Sequence, residues 1–125
     1  MILLDTHTLV WALEDHPRLG PRARDLIASS SARFVSSISH AEATIKAMRG
    51  KLRIDVDFPA AVAQAGFESL PLHDRHVAGL RAFESLVGHD PFNRLLIAQA
   101  HVDRLTLVTA DRVLLEFDGT FDATR

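Results

Sequence analysis

The sequence predicts one α/β domain, a three-layer α/β/α sandwich around a central, mainly parallel sheet of four to five strands. Three observations lead there. Short apolar runs alternate with amphipathic stretches in the order strand, helices, strand, helices, strand, helices, strand, helix, and such alternation buries a parallel sheet between helical layers. The length, 125 residues, suits one compact core and leaves no room for a second, so residues 1–125 are read as a single domain. Apolar residues make up 47% of the chain, ample for that core.

The elements follow in order. Ile2-Leu3-Leu4 is a continuous apolar run ending at Asp5 and reads as a buried strand. Thr6 to Glu14 sets Leu9, Val10, Trp11 and Leu13 at helical spacing, and Asp15 to Gly20, with Pro17, is a loop. Pro21, favoured in the first helical turn, opens a second helix to about Ser29. Arg33 to Ser36 is the second strand, and Ser39 to Arg49 a helix stopped by Gly50. Phe58 to Phe67 reads as a small-residue helix starting at Pro59, Glu68 to Leu72 as a short third strand, and Asp74 to about Glu84 as a helix. After a loop through Gly88 and His89, Asp90-Pro91 starts a long helix to His101, with Leu95, Leu96, Ile97, Ala98 and Ala100 largely buried. Leu105 to Thr109 is the fourth strand, Asp111 to Phe117 a last short helix, and Thr120-Phe121 an edge strand. No repeat, low-complexity segment or domain linker interrupts this pattern.

Composition narrows the function classes. No apolar run reaches the roughly 18–20 residues needed to cross a bilayer, so no membrane partner is expected. The opening residues, Met1 to Asp5, lack the basic leader and cleavage site of a signal peptide, and cysteine is absent. A reducing, cytoplasmic location fits both. Lys and Arg total 14 against 16 Asp and Glu, a net charge of −2, whereas nucleic-acid-binding domains are typically basic. Twelve of the 14 cations are arginine, however, the better bidentate phosphate partner. Charge therefore leaves a nucleic-acid ligand open.

The acids are more informative. In an open parallel sheet, ligands bind beyond the carboxyl ends of the strands. Asp5 directly follows strand one, and Glu42 lies in the first turn of the helix after strand two. Asp90 stands at the start of the long helix, and Asp111 follows strand four within Thr109-Ala110-Asp111. Each has a second reading as a helix cap. Ser39-His40-Ala41-Glu42 matches a capping box, Asp90-Pro91 is a good N-cap, and Asp5 and Asp111 both precede helices. Caps need not gather at one rim of the sheet, whereas these four do. Gathered carboxylates repel one another unless something neutralises them. A hard divalent cation, Mg²⁺ or Mn²⁺, does so while keeping several waters, and activates one for attack on a phosphodiester. The spacing thus points to metal-dependent phosphoryl-transfer chemistry.

Four stretches carry a family resemblance: Met1-Ile-Leu-Leu-Asp5-Thr-His, Ser37-Ile-Ser-His-Ala-Glu42, His89-Asp90-Pro-Phe-Asn-Arg-Leu-Leu-Ile-Ala-Gln-Ala100 and Leu107-Val-Thr-Ala-Asp111. In order and across about Ile2 to Phe117, they resemble the successive motifs of PIN-domain toxins of the VapC type. The resemblance implies a PIN-like sandwich and a Mg²⁺- or Mn²⁺-dependent endoribonuclease acting on structured RNA. It also implies a homodimer, neutralisation by a small antitoxin of the VapB type, and a role in restraining translation. Asp5, Glu42 and Asp111 match the first, second and fourth family acids, as catalytic residues and metal ligands. Thr109 matches a small hydroxyl near the site, and Thr6, beside Asp5, is taken as a supporting residue. The third family acid is Asn93 here. Asp90, three residues earlier and on the same helix face, is placed to supply the missing charge, and Asn93 offers an amide oxygen. A degenerate domain that binds protein or RNA without cleavage is the alternative this departure leaves open.

Other residues have competing uses. The seven histidines show no ligand spacing typical of zinc and read as surface or supporting groups, with His7 and His40 nearest the rim. Trp11 reads as core or interface, and Arg75, Arg81, Arg94 and Arg112 as cations of an RNA path or of solvated helix faces. The Leu9–Trp11–Leu13 helix and the Ala60–Gly66 segment are candidate walls for an antitoxin groove or a dimer contact. A phosphorylated receiver module would need adjacent acids after strand one and a lysine at the end of the last strand; the only lysines are Lys46 and Lys51.

Overall fold

The computed structural model describes residues 1–53 and 57–125. Five strands, β1 (Ile2–Leu4), β2 (Arg33–Ser36), β3 (Glu68–Leu70), β4 (Thr106–Thr109) and β5 (Thr120–Asp122), form one sheet in the order β3-β2-β1-β4-β5. Every pairing is parallel. The helices are α1 (Thr6–Glu14), α2 (Pro21–Ser29), α3 (Ser37–Met48), α4 (Phe58–Gln64), α5 (Asp74–Ala78) and α6 (Pro91–Val102). Two 3₁₀ stretches, Gly79–Leu86 and Leu114–Glu116, complete the elements of the described residues. This is the predicted α/β/α sandwich.

Strand alternation decides which helix covers which face. Ile2 and Leu4 of β1, with Val35 and Val108, pack under Leu9 of α1, Ala23 and Ile27 of α2 and Val62 of α4. Leu3 and Leu107 point the other way, against Ile38 of α3, Leu96, Ile97 and Ala100 of α6, and Phe83 and Leu86. A strand buried on both faces has no polar side to show, which is why β1 reads as an unbroken apolar run.

The main departures from the sequence reading have local causes. Helix α3 starts at Ser37, because Ser36, the last residue of β2, caps it through Ile38 N at 3.0 Å. Ser39 is therefore inside the helix and Glu42 in its second turn, which removes the capping-box reading. The helix expected over Asp74 to Glu84 is α5 followed by a 3₁₀ stretch broken at Phe83 (φ −125°, ψ 44°). That break turns the buried Phe83 ring edge-on to Phe117 and His101, with centroids 5.2 and 5.4 Å away.

The α5–α6 contact rests on a polar network. His76 is fully buried, and its Nδ1 accepts the His73 backbone N–H at 2.9 Å. Its Nε2 therefore carries the proton and donates to Asp103 Oδ2 at 2.9 Å, beside the Arg75 guanidinium at 3.3 Å. Burial works against the Asp103 charge, but the bonds from His76 and Arg75 hold its carboxyl below the ordinary 3.8. Asp103→Ala, which orphans the buried His76 N–H, should destabilise the fold by about 1–3 kcal/mol near neutral pH in chemical denaturation. Because the folded value is the lower one, this contribution is present above the unfolded value and fades as pH falls through the folded one. The gap between parent and variant should narrow as the acid range is entered.

Candidate active site

The sheet order reverses direction at β1: β2 and β3 lie on one side, β4 and β5 on the other. The crevice beyond the carboxyl ends of β1 and β4 is the place where an open parallel sheet accepts ligands. Register brings Leu4 opposite Val108, and the Asp5 N–H donates to Val108 O at 3.1 Å. A cleft of about 310 Å³ opens there, lined by Asp5, His7, Trp11, Arg18, Asn93, Ala110 and Asp111.

Asp5 is buried, and one of its oxygens accepts the Thr8 N–H at 2.8 Å as the N-cap of α1. The other accepts the buried Thr109 hydroxyl at 2.5 Å. Burial raises the Asp5 carboxyl above its ordinary value despite these bonds. Among the described residues it makes no ion pair. Thr109 in turn accepts the Asp111 N–H at 3.1 Å, so one hydroxyl ties both acids to the end of β4.

Asp111 has a different environment. Its Oδ1 accepts Val113 N–H at 2.9 Å, and its Oδ2 accepts His89 Nε2–H at 2.6 Å and Asn93 Nδ2–H at 2.8 Å. Partial burial opposes its charge, but the His89 and Asn93 bonds hold the carboxyl below its ordinary value. Glu42 is buried too, and both of its oxygens are engaged: Oε1 by the Thr6 hydroxyl at 2.5 Å, Oε2 by Lys46 Nζ at 2.8 Å. It joins Asp5 only through Thr6. Asp90 is exposed, caps α6 through Asn93 N at 3.0 Å, and does not line the cleft.

Of the residues singled out from sequence, Asp5, Asn93 and Asp111 share the cleft, Thr109 braces it, and Thr6 with Glu42 stands one residue behind. Among the described residues no group of three or more His, Cys, Asp or Glu is placed to hold a metal ion. The donor set still fits Mg²⁺, which takes one or two carboxylates and keeps most of its waters. A buried carboxylate lacking a cationic partner is the observation that favours a cation there. His89, which the sequence groups with the other surface or supporting histidines, belongs to the site through its bond to Asp111. Trp11 lines the cleft, with His16 stacked on it at 5.7 Å and the Arg18 guanidinium over its ring at 5.1 Å. Of the arginines read as RNA contacts, Arg75 pairs with Asp103, Arg112 with Asp122, and Arg94 bonds Val87 O.

The model of the PIN domain family matches residues 2–119. The chain belongs to the PIN domain family. No curated protein sequence matches this PIN domain. Its fold is similar to that of a chain in a toxin–antitoxin complex from Klebsiella pneumoniae, at TM-score 0.69 and 16% identity over 98% of both chains. It is also similar to a chain of VapBC2 from Rickettsia felis, bound to a DNA fragment from its promoter (TM-score 0.65, 17% identity, 98% of this chain and 100% of that one). A third likeness is to DNA-bound VapBC from Salmonella typhimurium (0.63, 19%, 96% of both). Among the described residues no helix is long and apolar enough to cross a membrane.

The burial of Asp5 sets a test of this PIN domain. Its folded value lies above its unfolded one, so the charged form is disfavoured by folding, and stability falls as pH rises through the folded value. Asp5→Asn should therefore melt at a higher temperature than the parent at neutral pH in metal-free buffer. The advantage should vanish below the ordinary value of 3.8, where both states carry the proton.

Proposed function

We propose that this PIN domain is the toxin component of a type II toxin–antitoxin system, a Mg²⁺- or Mn²⁺-dependent endoribonuclease that cuts cellular RNA. The observation that carries the reading is the pairing of Asp5 and Asp111 across one cleft at the β1–β4 crevice, joined through Thr109. Family membership and the fold shared with chains of toxin–antitoxin complexes support it. It acts in the cytoplasm as a homodimer, and a small VapB-type antitoxin neutralises it.

Asp5 and Asp111 would hold the cation, with the Asn93 amide oxygen as a further ligand. The bound cation would polarise a phosphoryl oxygen and lower the pKa of a coordinated water. Thr109 orients the inner oxygen of Asp5, leaving that carboxylate fixed with respect to the cleft. The Asp111 charge is sustained by the His89 and Asn93 donors, so it is present across the neutral range. Glu42 supports from behind through Thr6, and Asp90 contributes by starting α6 and thereby placing Asn93.

The purified chain, free of partner, should cleave total RNA in Mg²⁺ or Mn²⁺. Cleavage should stop with EDTA and fall by roughly 10²-fold or more with Asp5→Ala. One observation favours a second reading, a PIN-like adaptor that binds protein or RNA without cutting: Asn93 stands as a hydrogen-bond donor to Asp111 and adds no third charge to the cleft. Asn93→Asp discriminates. Cleavage gained only with that variant marks Asn93 as the disabling residue, and silence of both proteins favours the adaptor. In calorimetric titration Asn93→Asp should bind Mn²⁺ more tightly than the parent in either case.

A further inference from the structure

We propose that the Lys46–Lys51 edge of the rim is a backbone-phosphate site, so that a nucleic-acid strand runs from Arg18 across the Asp5–Asp111 cleft to the two lysines. The proposal rests on the nuclease reading for the identity of the strand as RNA, and deepens it by placing the strand.

A second cleft of about 360 Å³ lies beside the first, lined by Thr6, His7, Val10, Lys46, Lys51 and Leu52. The two clefts share the exposed His7, and Thr6 follows Asp5 directly, so they form adjoining stretches of one rim. The chain has only two lysines, and both line this second cleft, although the net charge is −2. Arg18 lines the other cleft together with Asp5 and Asp111. Cations in both adjoining clefts, with two acids in one of them, suit a polyanion that has one phosphate at a metal and its neighbours at side chains.

Lys46 is built for this more firmly than a surface lysine. Its side chain is 32% exposed, and its ammonium sits 2.8 Å from Glu42 Oε2, one helical turn away. Glu42 is itself fixed by the Thr6 hydroxyl. The carboxylate thus orders the long lysine side chain before a ligand arrives, and takes only one of three ammonium hydrogens. Lys51 is brought alongside by its backbone N–H, which donates to Lys46 O at 2.8 Å and turns the chain back at the end of α3. Val10 and Leu52 give the cleft an apolar floor against which a ribose can rest. On this assignment Glu42 is a positioning residue that acts through Lys46.

The test is fluorescence anisotropy with a labelled single-stranded oligoribonucleotide in EDTA, which silences cleavage, across about 50–200 mM salt. The variants are Lys51→Ala, on an exposed side chain, and Lys46→Gln, which keeps a donor for Glu42. Arg104→Gln, at the opposite edge of the sheet, is the control. Each lysine variant should weaken binding and lower the magnitude of the log K–log[salt] slope by about 0.7–1, the loss of one phosphate contact, and the control should leave it unchanged. Parent-like slopes in both lysine variants, or no binding by the parent, would overturn the proposal. The outcomes separate from those of the cleavage assay. Metal-dependent cleavage with unaltered slopes refutes the lysine track alone, whereas reduced slopes with no cleavage by the parent or by Asn93→Asp refute the nuclease reading and leave the track standing.

Discussion

A buried carboxylate at the junction of the two central strands organises the whole rim. Asp5 ends β1, starts α1 by capping Thr8, and receives the hydroxyl of Thr109 from the end of β4. Three tasks thus meet in one side chain: stopping a strand, opening a helix and pinning two strands at their carboxyl ends. Placing that group out of water carries a penalty that two hydrogen bonds and the amide end of α1 offset only in part, since its carboxyl remains above the ordinary value. A residue chosen for stability alone would be Asn or Ser, which cap as well without a charge. An acid here makes physical sense if a cation completes it.

The rim handles like-charge repulsion by giving each acid a different partner. Asp5 is buried and hydrogen-bonded to neutral groups, Asp111 faces two side-chain donors, Glu42 is paired with Lys46, and Asp90 is turned to solvent at a helix start. Only the first two reach the same cleft. The rim is therefore a graded arrangement, with the least compensated charge at Asp5 and two lysines lining the adjoining cleft.

Much of this was legible in the sequence because strand ends in a parallel sheet leave a strong trace. β1, α1, α2 and β2 lie where apolar runs, Pro21 and the Asp5 stop place them, and the crossovers put Asp5 and Asp111 at one edge. What the sequence obscured were choices between equally good local patterns. Ser36 and Ser39 both qualify as caps, and the direct passage from β2 into α3 selects the first, moving Glu42 one turn deeper. Asp90 satisfies both a cap and an acidic-site pattern, and the exposed cap is what the fold displays. His89, Arg18, Lys46 and Lys51 depend on proximity across elements, which periodicity does not encode. The Glu42–Lys46 spacing of four on a helix was nevertheless readable as a pair.

Asn93 shows how one substitution in charge type reshapes such a rim. Its amide N–H donates to the same Asp111 oxygen that His89 engages, so Asp111 carries two donors in place of a neighbouring carboxylate. An acid at that position would repel Asp111 and push its carboxyl upward, unless a cation lay between them. With the amide, the metal-free rim is relieved of that repulsion and Asp111 stays charged without help. Asp5 then remains, among the described residues, the cleft acid with no ion pair. The drive to bind a cation is thereby concentrated at Asp5, on the β1 side. That side also adjoins the lysine-lined cleft, so a strand bridging the two clefts would carry its phosphate oxygens to the place where the site still lacks ligands.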